Sequence, residues 1–72
     1  MRFDPAALFR ARSQKGLTQE QLAVAAGTSF TTVNRLEGGK IEPTLATINK
    51  LASALEIDAD ELLIFEENGA PA

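Results

Sequence analysis

One stretch, Thr18 to Lys40, constrains the fold more than any other part of the chain: T-Q-E-Q-L-A-V-A-A-G-T-S-F-T-T-V-N-R-L-E-G-G-K. It reads as helix, tight turn, helix. Thr18 supplies a capping oxygen, and Gln21 three residues on completes a capping box. Leu22 and Ala25 fall on one face, and the bare methyl of Ala23 lets another helix approach closely. Gly27 can take the left-handed conformation that ends a helix sharply. Thr28 or Ser29 then caps a second helix. Val33 and Leu36, three apart, give that helix one apolar stripe, and Gly38-Gly39 ends it.

The flanks extend this pattern. Asp4-Pro5 pairs a capping oxygen with proline at the first helical position, which predicts a helix to about Gln14 or Lys15 with Leu8 and Ala11 inward. Gly16 stops it, and Leu17 can staple against Leu22. Pro43 holds Glu42 extended. Thr44 caps a further helix, with Leu45, Ile48, Leu51, Ala52 and Leu55 as one buried stripe. Asp58 and Glu61 have capping-box spacing for a short fifth helix running into Leu62, Leu63, Ile64 and Phe65. No strand signal, repeat or low-complexity tract occurs. The expectation is an all-α fold of five helices.

Seventy-two residues allow one small domain with a thin stability margin. The absence of Cys and His excludes disulfides, Cys/His metal sites and a thiol nucleophile, and fits a reducing cytoplasm. No apolar run reaches the roughly 18 residues of a membrane span, and the first five residues lack a signal-peptide core. The starting Met suits a whole protein. A net charge of −3 taken alone argues against nucleic acid. The charge is unevenly spread, however. Residues 1–55 carry all seven basic residues and four acids, a balance of +3, whereas residues 56–72 carry six acids and no basic residue. Such asymmetry permits a nucleic-acid face beside an acidic face turned away from it.

Two short helices with a small residue at the crossing and Gly in the turn match the helix-turn-helix unit. The spacing of Gln19, Leu22, Ala23, Gly27, Val33, Leu36, Glu37, Gly39 and Lys40 resembles the phage-repressor (Xre/Cro-type) family of DNA-binding domains. Arg12, the run Gly16 to Gln19, and then Pro43, Leu55 and Leu62 continue the likeness. The resemblance implies a compact five-helix domain over residues 1–65, its helix-turn-helix at 18–38. Residues 66–72, polar and then small with one proline, are expected to form a short flexible tail. The resemblance implies double-stranded DNA as partner, no cofactor and no metal.

It also implies roles for residues. The third helix would enter the major groove, with Phe30, Thr31, Asn34 and Arg35 at the bases. Arg35 could pair with guanine, Thr31 could hydrogen-bond or touch a thymine methyl, and Asn34 could reach adenine or a phosphate. Phe30 departs from the polar residue common there. It could press on thymine methyls, contact a protein, or fold back. Phosphate contacts would come from Gln19 at a helix N-terminus, Ser29, Lys40 and Arg10, with Lys15 a weaker candidate. Arg12 and Glu37 would form a structural ion pair that orients the recognition helix. Leu63, Ile64 and Phe65 exceed what one short helix can bury on a single face, so they are expected to form a homodimer interface. Phe9 is a second anomaly, read either as a contact to Phe3 or as part of a protein interface.

The function expected is a cytoplasmic transcriptional regulator, a repressor, acting as a homodimer on an inverted-repeat operator. The alternative is an antitoxin or similar module that binds a toxin or another protein and autoregulates its operon. An enzyme is disfavoured: no His partners a Ser or Thr, and nothing places two acids in one cleft.

Overall fold

The computed structural model describes residues 2–65. Four helices carry the fold: α1 (Pro5–Lys15), α2 (Gln19–Ala26), α3 (Phe30–Glu37) and α4 (Leu45–Leu55). A 3-10 turn over Ala59–Leu62 follows. Two short strands, β1 (Arg2–Phe3) and β2 (Leu63–Ile64), pair antiparallel with Arg2 opposite Ile64 and Phe3 opposite Leu63.

Each helix begins where a side chain accepts an otherwise orphaned backbone N–H. Asp4 accepts from Ala6, Thr18 from Gln21, Ser29 from Thr32 and Thr44 from Thr47. At Thr18 the Gln21 side chain also accepts from the cap's own N–H at 2.9 Å. Of the two candidate caps for α3, Ser29 serves rather than Thr28. The turn between α2 and α3 depends on Gly27, whose φ is 70°. A Cβ built there meets no atom within 4 Å, so only the backbone conformation opposes a side chain. Gly27→Ala is therefore expected to cost about 1–2 kcal/mol, read as a lower melting temperature by circular dichroism. An unchanged melting temperature would show that the turn does not need the left-handed backbone. Helix α4 ends on a left-handed residue that is not glycine, Glu56 at φ 59°. Its carboxylate lies 2.6 Å from Lys15 Nζ, which holds it below the usual carboxylate range, although an exposed pair of this kind adds little stability.

The core is built from Leu8, Leu22, Val33, Leu36, Leu51 and Leu62, with Phe3, Ile48, Leu55 and the alanines 7, 23, 26 and 52 completing it. Helix α2 lies between α3 and α4, and the methyl of Ala23 is buried there. Leu17 and Ala11 pack on the core from α1 and its exit.

Three sequence expectations are corrected. On α2 the inward alanine is Ala26, and Ala25 is exposed. The buried face is centred among Leu22, Ala23 and Ala26, and position 25 lies beyond its edge, on the side away from Ala23. Leu45 leaves the α4 stripe and is 64% exposed, because it is the first residue of that helix and precedes the core contact.

The fifth helix is the third correction. Only a 3-10 turn forms, with Asp58 N–H donating to Glu61 Oε2 at 3.3 Å, and the chain then goes extended. The fold is therefore mostly helical, with four α-helices and a small ribbon. A run of four apolar residues has no single helical face to share, and an extended chain distributes it instead. Leu62 is fully buried, Leu63 and Ile64 are half-buried, and Phe65 is exposed. The ribbon also anchors the N-terminus: Asp4 N–H donates to the Leu62 carbonyl at 2.8 Å, and Phe3 is buried at 5% exposure.

Candidate nucleic-acid interface

Helix α3 turns Val33 and Leu36 into the core. The opposite surface therefore presents Phe30, Thr31, Asn34 and Arg35, all exposed. Positions 30 and 34, and 31 and 35, are each one turn apart, so the four side chains share one strip. Phe30 does not fold back, as half of its surface is open.

Behind this strip lies a side-chain network joining three helices. Arg12 of α1 donates from Nε to Glu37 Oε2 at 2.6 Å and from Nη2 to Glu37 Oε1 at 3.0 Å. Its Nη1 donates to the Leu17 carbonyl at 2.8 Å. The two side chains are only 13% and 6% exposed. This fork-on-carboxylate geometry suits Arg specifically, and the Glu37 hydrogen bond raises the Arg12 pKa further. From α2, Gln19 Nε2 donates to Glu37 Oε1 at 2.9 Å. From α3, Asn34 Nδ2 donates to Gln19 Oε1 at 3.1 Å. One carboxylate near the end of α3 thus receives donors from α1 and from the first residue of α2.

Phe9 belongs to this network and not to Phe3. The Arg12 guanidinium carbon lies 5.3 Å from the Phe9 ring centroid, a cation–π distance, whereas Phe3 is sealed into the core beside β2. Sequence reasoning missed this contact, although the spacing of 9 and 12 on one helix makes the two residues neighbours. An open groove of about 710 Å³ runs beside the network, lined by Pro5, Ala6, Phe9, Gln19, Asn34, Glu37, Gly38 and Gly39.

The candidate phosphate ligands are only partly brought together. Gln19 heads α2 next to Asn34, and Lys40 is exposed just beyond α3, its N–H donating to the Arg35 carbonyl at 2.9 Å. Ser29 caps α3, and its hydroxyl both accepts from Thr32 N–H and donates to Thr32 Oγ1 at 2.9 Å. Arg10 stands apart. It lies 3.8 Å from Asp4 and lines a hollow with Gln14 and Glu61, whereas the groove beside Gln19 meets α1 at Pro5, Ala6 and Phe9. Lys15 is paired with Glu56. Of the expected dimer residues, Phe65 is exposed, while Leu63 and Ile64 are partly used by the ribbon. Three further large apolar side chains, Val24, Ile41 and Leu45, are exposed, and Leu45 lines one hollow with Pro43 and Leu63.

Known proteins resemble this chain in sequence and fold. Residues 8–62 match the model of a family described as helix-turn-helix. A protein of Sinorhizobium fredii named as the uncharacterized HTH-type transcriptional regulator y4dJ is 41% identical over 54 residues, covering 75% of this chain and 70% of that one. The cryptic phage CTXphi transcriptional repressor RstR of Vibrio cholerae is 44% identical over 45 residues, 62% of this chain and 40% of the repressor. Among solved structures, the restriction-modification controller protein C.AhdI of Aeromonas hydrophila superposes with a TM-score of 0.80 at 39% identity, covering 82% of this chain and 86% of the controller.

Proposed function

Because the chain belongs to the helix-turn-helix family, in its phage-repressor-like (Xre/Cro-type) branch, we propose that it is a sequence-specific DNA-binding regulator that represses transcription as a homodimer on an inverted-repeat operator. The observation that carries this reading is the exposed strip Phe30, Thr31, Asn34 and Arg35 on a helix whose other face is locked into the core. Such a helix is rigid and polar outward, as major-groove reading requires. Arg35 is assigned to guanine, Thr31 to a base edge or a thymine methyl, and Phe30 to apolar contact with thymine methyls. Gln19 and Lys40 are assigned to phosphates on either side of the strip.

Few cations serve this face, so one protomer gains little counterion release and a second is needed for useful affinity. The exposed Leu45 and Phe65, with half-buried Ile64, supply apolar surface for the pairing. A two-fold pair would set its recognition helices about one DNA turn, roughly 34 Å, apart. Residues 1–65 are the proposed DNA-binding unit, and the proposed tail at 66–72 lies outside the described residues.

Selection from random duplexes at two salt concentrations, with sequencing of the bound fraction, tests the reading. The expected result is an enriched inverted repeat whose binding weakens as salt rises. A folded protein that enriches no sequence would overturn it and turn attention to Phe30 and Phe65 as contacts for a protein such as a toxin.

A further inference from the structure

The family resemblance puts Asn34 among the base readers, and the residue is exposed on α3, yet its side chain is hydrogen-bonded to Gln19 beneath the strip. We propose that Asn34 is a positioning residue: it holds the Gln19 carboxamide in one orientation for a phosphate and reads no base itself. The proposal rests on the DNA-binding reading above.

Hydrogen-bond polarity carries the argument. An ionised carboxylate only accepts, so the Gln19 group facing Glu37 Oε1 at 2.9 Å must be its amide nitrogen. The Gln19 oxygen then points away from Glu37 and needs a donor. Asn34 Nδ2 supplies one at 3.1 Å. Its own orientation follows, because an oxygen at that place would face another oxygen. A directional chain therefore runs from Asn34 to Gln19 to Glu37, and Arg12 closes it. Among the described residues Gln19 Nε2 donates only to Glu37, which leaves its second amide N–H for a ligand at the first position of α2, where backbone N–H groups and the helix dipole also favour an anion. Without Asn34 the Gln19 amide is held at one end only. Asn34 itself has committed one of its two amide N–H donors to Gln19, so a bidentate contact to adenine would have to compete with that bond for the orientation of the carboxamide.

The test combines the free protein and its DNA complex. In free protein, the Gln19 side-chain amide is expected to give a rigid NMR signal, and Asn34→Ala is expected to make it mobile with the melting temperature little changed, since Asn34 is exposed. Against the selected operator and its single-base variants, Asn34→Ala is expected to weaken binding several-fold by a similar factor on each, leaving the base preference intact. In a Gln19→Ala background the same substitution should have almost no further effect. A changed preference at one base pair would make Asn34 a base reader and overturn the proposal. Equal losses in both backgrounds would overturn it by removing the coupling to Gln19. A wild-type protein that enriches no duplex overturns the DNA-binding reading, and this proposal with it, before any variant is compared.

Discussion

Glu37→Ala is expected to destabilise the folded domain by about 3–5 kcal/mol, the largest effect of any single polar substitution considered. Glu37 is 6% exposed and is the acceptor for both Arg12 and Gln19. Its removal leaves the Arg12 guanidinium, itself 13% exposed, with the Leu17 carbonyl as its remaining described acceptor and the Phe9 ring over it. The cost is mainly that of a sheltered charge without its counter-charge. The attraction between Arg12 and Glu37 was itself partly cancelled by their desolvation. A domain of this size has of order 4–10 kcal/mol of total stability, so the variant should be close to unfolding at 37 °C. Urea titration of wild type and variant measures the difference. Glu37→Gln keeps the shape and one acceptor oxygen, and should fall between them. A loss below about 1 kcal/mol, the range of solvent-exposed pairs, would show that water reaches the pair freely and that it does not hold α1 to α3.

Arg35→Ala is expected to leave stability nearly unchanged and to lower affinity for the selected operator by roughly 10- to 100-fold per half-site, the range for one good bidentate base contact. The side chain is exposed. The backbone carbonyl that anchors Lys40 is retained in the variant. Preference should relax at one base pair per half-site, while binding to unrelated duplex of the same length changes far less. Titration of both duplexes under matched salt checks this. A similar loss on operator and unrelated duplex would instead make Arg35 a phosphate ligand, whose effect is electrostatic and indifferent to sequence.

These two residues differ in how far they could be read in advance. Arg35 follows from the apolar stripe: once Val33 and Leu36 face inward, a residue two positions after one and one before the other points outward. Glu37 could be placed opposite Arg12 only through the family likeness, because the two are 25 positions apart and nothing local links them. Gln19 as a helix-start residue was legible from the Thr18 cap, but its hydrogen bonds to Glu37 and Asn34 were not. They depend on the angle at which α2 crosses α3, and no periodicity encodes that angle. Phe9 is a different case: its place next to Arg12, three positions on along the same helix, is legible from the spacing, but that guanidinium was already assigned to Glu37.

Local chemistry in the sequence determined the four helices, their caps at Asp4, Thr18, Ser29 or its neighbour, and Thr44, and the left-handed stops at Gly16 and Gly27. Each of these is decided within about four residues, by an oxygen within reach of an N–H or by a missing Cβ. Tertiary structure alone decided the fate of the ends and the exact core. Leu62 closed a turn and Leu63–Ile64 became a strand because Phe3, some sixty positions earlier, offered a backbone to pair with and a side chain to bury. It also exposed Leu45 and turned Ala26 inward in place of Ala25. A hydrophobic pattern states which residues prefer burial, and the packing of one helix on another selects which of them obtain it.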